Sequence, residues 1–147
     1  MRLSCAGVTS VAGAAAACLE IYAGTGAAYP ARFKLLELGL FQNTAATSQV
    51  ALGRAAVIGG TPAGAIAFGY HDNVSSLPAS SILAYTTWAV GPTVPTAFFR
   101  QISLPATIGA GVIWTFSDPI IIVAGGSLVV WNIAASSPLD FYATVEV

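Results

Sequence analysis

Large apolar residues in this chain fall in short runs, alternating or continuous, that Gly, Pro, Ser or Asn break every few positions. The final run, LDFYATVEV (139–147), alternates cleanly: Phe141, Ala143, Val145 and Val147 fall on one side, and Tyr142, Thr144 and Glu146 on the other. Successive side chains of an extended strand point to opposite faces, so this is the pattern of a half-buried antiparallel strand. ARFKLLELGLFQN (31–43) predicts a longer strand, with Phe33, Leu35, Gly39 and Phe41 opposed to Arg32, Lys34, Leu36, Leu38 and Leu40. CLEIYAG (18–24), SQVALGRA (48–55), ILAYTTWAV (82–90), AFFRQISLP (97–105) and GVIWTFS (111–117) predict further strands.

Residues 117–132, SDPIIIVAGGSLVVWN, pose a choice between a membrane segment, a soluble core and a docking surface. A spanning helix needs about 20 consecutive apolar residues, and Gly, Pro, Ser and Asn interrupt every such window here. Asp118 and Pro119 are expected to end one strand, PIIIV to form another, Ala124 to Ser127 to turn the chain, and LVVWNI to return as a hairpin. Adjacent glycines between β-branched runs favour such a reversal because glycine reaches positive φ without steric cost. From Ala56 to Ser81 the periodicity fades, which predicts a long loop holding one short strand around AIAFGY (65–70).

About eight strands with turn signals at sandwich spacing, and no sustained helical period, predict an all-β fold: an antiparallel β-sandwich of jelly-roll type, with another Greek-key connectivity as the alternative. Residues 1–17 are expected to form an N-terminal arm or first strand, and 18–147 a single sandwich domain. The alanine-rich VAGAAAACLEIYA has helix propensity but lacks a polar face. Arg2 before small and apolar residues is like the start of a signal peptide, but the Gly, Ser and Thr content and the missing Leu run argue against it.

Charge changes the picture most. Charged residues are 7% of the chain, where about 25% is ordinary for a globular domain. The net charge is −1, and the five basic residues (Arg2, Arg32, Lys34, Arg54, Arg100) are scattered, so the clustered Lys and Arg that a nucleic-acid partner requires are missing. A two-layer sandwich normally turns charged side chains outward, and 117–132 has almost none to turn. Both faces of that stretch are therefore expected to be buried, one in the chain's own sandwich and one against another subunit or a larger particle.

Candidate chemistry is thin. A hydrolytic triad would need His71, the single histidine, with the adjacent Asp72, but neighbours in an extended chain point opposite ways. Glu20 with Glu37, or Asp118 with Asp140, are the possible glycosidase pairs, although Glu20 and Glu37 are expected to face solvent or to pair with Arg32 or Lys34. GTGAAY (24–29) lacks the third glycine of a dinucleotide fingerprint, and NVS (73–75) fits the glycosylation sequon. Cys5 and Cys18 form no CxxC pair, and with one histidine a zinc site is close to excluded; two free, buried thiols are expected, with a disulfide left open. The chain is thus expected to be no enzyme and to hold no cofactor or metal. Tyr85, Trp88, Phe98, Phe99, Trp114 and Trp131 are the candidate interface residues, and the tryptophans double as possible sugar-stacking platforms.

The run ARFKLLELGLFQNTAATSQVALGR (31–54), with WTFSDPIIIVAGGSLVVWN (114–132), resembles small β-rich proteins encoded among the structural genes of tailed bacteriophages. The likeness is one of pattern and composition and spans most of the chain. It implies a jelly-roll decoration or accessory protein of the virion, often a trimer, whose neutral surfaces lock subunits to each other and to the major capsid or another virion protein. From the charge and the interrupted apolar windows, no nucleic-acid or membrane partner is expected.

Overall fold

A computed structural model of the chain describes residues 1–10, 15–25, 32–71, 82–134 and 137–147. The described residues form thirteen strands: β1 (Arg2–Val8), β2 (Ala16–Ala23), β3 (Arg32–Gln42), β4 (Ser48–Gly53), β5 (Gly60–Ala63), β6 (Ile66–Ala67), β7 (Gly69–Tyr70), β8 (Ile82–Tyr85), β9 (Thr87–Val90), β10 (Phe98–Leu104), β11 (Gly111–Val123), β12 (Ser127–Ala134) and β13 (Leu139–Glu146).

Eight of them make the framework. β1 pairs with β13, β2 with β12, β3 with β11 and β4 with β10, all antiparallel. This nesting of first with last is one long two-stranded ribbon, and rolling it places alternate rungs in opposite sheets, β11-β3-β13-β1 and β10-β4-β12-β2. The result is a jelly roll. Residues 2–8 lie inside the first sheet as β1, between β13 and β7. The core between the sheets is built from inward residues of both, among them Leu3, Leu19, Ile21, Leu35, Leu38, Leu40, Leu52, Ile122, Leu128, Val130 and Val145.

The 54–97 excursion between β4 and β10 is richer in strand than the sequence predicts. β7 extends the first sheet beyond β1, β8 and β6 extend the second beyond β2, and β5 pairs with β9 as a separate two-stranded ribbon. ILAYTTWAV, expected as one strand, is two: Thr86 separates β8 from β9, which pair with different partners.

Three further expectations are corrected. Residues 117–132 are not a hairpin: β11 pairs with β3 in the first sheet, while β12 lies between β2 and β4 in the second. Gly-Gly does turn the chain, with Gly125 at φ 76 and its N–H donating to the Ala23 carbonyl at 2.7 Å, but the turn is a corner between sheets. Turn chemistry fixes the reversal and leaves the choice of neighbour to packing. Asp118 and Pro119 do not end a strand either. They sit in an irregularity of β11, where the register passes from Thr115 opposite Glu37 to Ile120 opposite Leu35. An edge strand tolerates proline there because no ladder hydrogen bond is lost.

Finally, the two faces of β3 change places midway. Phe33 and Leu35 point inward as expected, but so do Leu38 and Leu40, with Gly39 and Phe41 on the other side. The pairing with β13 shifts between Thr144 and Val145, opposite Glu37 and Leu35. The extra residue, Leu36, is a bulge, and one added residue inverts the alternation beyond it.

Candidate functional site

The edges of the two sheets differ. On one side β7, β8 and β6 add strands beyond β1 and β2; on the other, β11 and β10 end their sheets without a further partner among the described residues. Two arginines tie these ends together. Arg54, just past β4, donates from Nη2 to the Ile121 carbonyl at 2.5 Å and stands over the Phe99 ring at 5.8 Å. Arg100 of β10 donates to the Phe99 carbonyl at 2.8 Å and lies 5.5 Å from the Phe116 ring centre. Both guanidinium groups therefore face carbonyls and aromatic rings.

Among the side chains this edge turns outward, beside Arg100, Gln101, Thr115 and Asp118, are several large apolar ones. Ile113 is 53% exposed, Ile121 40% and Val123 49%, and Phe98 and Phe99 are exposed beside them on β10. Edge strands of soluble chains usually carry charge or are covered. The bulge with Pro119 interrupts β11, but Ile121 and Val123 beyond it remain exposed and apolar.

The outer face of the second sheet is covered by the chain itself. Ala17, Val129 and Trp131 form a second small core there, closed by Ala55, Trp88 and Ile133. The outward face of β12, expected to meet another subunit, is thus buried by the β5–β9 ribbon. Glu20, expected to face solvent or to pair with Arg32 or Lys34, is instead 1% exposed and anchors this ribbon. Its carboxylate accepts from Trp88 Nε1 at 2.8 Å and from the Gly59 N–H at 3.2 and 3.3 Å. A Cβ at Gly59 would overlap the Trp88 indole, so this close approach requires glycine. Beside Glu20, Tyr85 has its phenol pKa raised, first by burial and then by the charges of Tyr22 and Glu20.

The remaining candidates are dispersed. Glu37 lies on the outer face of the first sheet, accepting from the Tyr142 hydroxyl at 2.7 Å and from Thr115 Oγ1 at 3.3 Å, and that hydrogen bond raises the Tyr142 pKa. Glu20 and Glu37 therefore belong to different sheets. Lys34 pairs with Glu146 at 3.6 Å, and Arg32 is exposed. Asp140 accepts from Asn43 Nδ2 at 3.2 Å, remote from Asp118 in the β11 irregularity. His71 Nε2 meets Ser4 Oγ at 2.5 Å on an exposed surface; Asp72, the NVS sequon and residues 26–29 of GTGAAY lie outside the described residues. Among the described residues no group of three or more His, Cys, Asp or Glu is placed to hold a metal, and no helix is long and apolar enough to cross a membrane. Cys5 and Cys18 are free and buried.

Of the six aromatic candidates, Phe98 and Phe99 lie on the open edge, Tyr85 and Trp88 at the Glu20 pocket, Trp131 beneath Trp88, and Trp114 in the central core. The structure does not bring them to one surface. Arg54, Arg100 and the buried role of Glu20 carry no local sequence signal beyond a lone charge in a largely apolar stretch.

No protein-family model matches the chain, and neither a curated protein nor a solved structure is significantly similar to it.

Proposed function

We propose that the protein is a non-enzymatic structural component of a bacteriophage virion, which self-associates as a trimer and decorates or reinforces a capsid or tail surface. The observation that supports this reading is the β10–β11 edge, where Ile113, Ile121, Val123, Phe98 and Phe99 are each exposed on a chain with 7% charged residues. An apolar edge of this kind is an association surface or an aggregation liability. Burying it stabilises a complex by roughly 25 cal/mol per Å² before association costs are subtracted. Light scattering of the purified chain across a dilution series tests the proposal: a discrete oligomer that survives dilution is expected, and a stable monomer at all concentrations would overturn it.

A second reading has its own observation. Trp88 and Trp131, with Ser10, Thr86 and Thr87, line an open groove of about 470 Å³. Indole faces beside hydroxyl groups are what a carbohydrate-binding module or receptor-binding head uses to stack sugar rings. Glycan binding that disappears in a Trp88→Ala variant of unchanged fold would favour this reading.

A further inference from the structure

Glu20 is buried, yet no cation among the described residues compensates its charge. Among the described residues the ion pair is that of Lys34 with Glu146, and no cation is paired with Glu20. Among the described residues its contacts are one shared backbone N–H and one indole N–H, whereas a carboxylate offers about four lone-pair sites. Burying a carboxylate without a cation is costly unless another group completes its shell.

The space beside it has a definite chemistry. Glu20, Tyr22, Ile58, Gly59, Pro62 and Tyr85 line a cavity of about 120 Å³, roughly four times the share of liquid volume that one water takes. The Tyr22 and Tyr85 rings stand 6.4 Å apart, inclined at 45°. Ile58 and Pro62 are exposed, which leaves the cavity reachable from solvent. Aromatic faces carry the negative end of the ring quadrupole, so two inclined rings beside a carboxylate favour a cation that is itself partly apolar.

We propose that this cavity binds an alkylammonium group, with Glu20 as the countercharge, Tyr22 and Tyr85 as cation–π walls, and Ile58 and Pro62 against the attached carbons. Either ammonium supplies the countercharge to Glu20, and the primary ammonium of a lysine also donates to its open lone pairs. The cavity admits only the head of such a group, so its source is either a free quaternary amine or the side-chain tip of a lysine on a partner. This site is independent of the open edge on the opposite side of the sandwich.

The test titrates the full chain with choline chloride, with N-acetyl-lysine amide and with the uncharged carbon isostere of choline, following the Trp88 indole N–H by NMR. Saturable binding of at least one ammonium is expected, with a Kd on the order of 1–10 mM, as suits a few cation–π contacts and one countercharge. The isostere should bind about tenfold more weakly or worse. Glu20→Gln keeps the size and an acceptor oxygen, and should remove that preference; Tyr85→Leu should weaken ammonium binding equally and serves if the first variant does not fold. Tighter binding of choline assigns the site to a free amine, and tighter binding of the lysine amide assigns it to a partner's lysine. Equal binding of the isostere, or no saturation by about 100 mM of either ammonium, overturns the proposal.

Discussion

At the scale of single residues, Glu20 links the jelly roll to its covering ribbon. Replacing it by alanine removes the acceptor of the Trp88 indole N–H and of the Gly59 N–H, and losing hydrogen bonds to a charged group costs about 1.5–3 kcal/mol. Glu20→Ala should therefore lower the unfolding free energy by about 2 kcal/mol or more in denaturant titrations. If only the ribbon detaches, Trp88 fluorescence will shift before the global transition. The two thiols act through pH. Burial raises both Cys5 and Cys18 from 9.0 to about 12. The folded state then keeps protons that the unfolded chain releases above pH 9, so the stabilisation is whole below pH 9 and is lost as pH rises through about 12. In that window each thiol should lower stability by at most about 1.4 kcal/mol per pH unit. Cys5→Ala and Cys18→Ala variants should each flatten the fall; an unchanged slope in both would mean that tyrosines such as Tyr142 dominate it.

At the scale of elements, the turn at Gly125 controls where the chain leaves one sheet for the other. With φ at 76 and a prospective Cβ at 3.2 Å from Thr25 Cγ2, Gly125→Ala is strained both locally and by contact. It should cost about 1–2 kcal/mol, whereas Gly91→Ala, with nothing near its prospective Cβ, should stay within about 0.5 kcal/mol of the parent. Thermal unfolding of the two variants side by side measures the difference. The same element marks the limit of what the sequence makes legible. The alternation of 139–147 is read correctly because β13 is central and regular: Phe141, Ala143 and Val145 are buried. The all-β sandwich follows from equally local signals. The bulge at Leu36, the sheet-switching turn and the irregular stretch of β11 leave no trace in periodicity, because each is fixed by which strand lies alongside. Glu20 eludes sequence reasoning for the same reason: its position in CLEIYAG points it away from the core, and only the returning ribbon buries it.

At the scale of the molecule, the sandwich is asymmetric. One side is closed by β6, β7 and β8 and the other ends in the apolar strands β10 and β11, stitched together by Arg54 and Arg100. An association resting on Ile121, Val123, Phe98 and Phe99 should follow hydrophobic rules, since these exposed side chains are uncharged and Arg54 and Arg100 already face carbonyls and rings. Raising sodium chloride from about 0.05 M to 0.5 M should leave the oligomer intact, because screening weakens ion pairs and not apolar contacts, and ammonium sulfate should tighten it. A variant carrying Ile121→Glu and Val123→Glu is the sharper probe. Ile121 lies opposite Lys34 and Val123 opposite Arg32, so each new carboxylate gains a cross-strand cation, and the strand pair is expected to hold within about 1 kcal/mol. The outward apolar run is lost at the same time. Light scattering should then report a monomer with an unchanged far-ultraviolet circular dichroism spectrum. An oligomer that persists in this variant, or one that dissociates in sodium chloride, would place the contact elsewhere on the molecule.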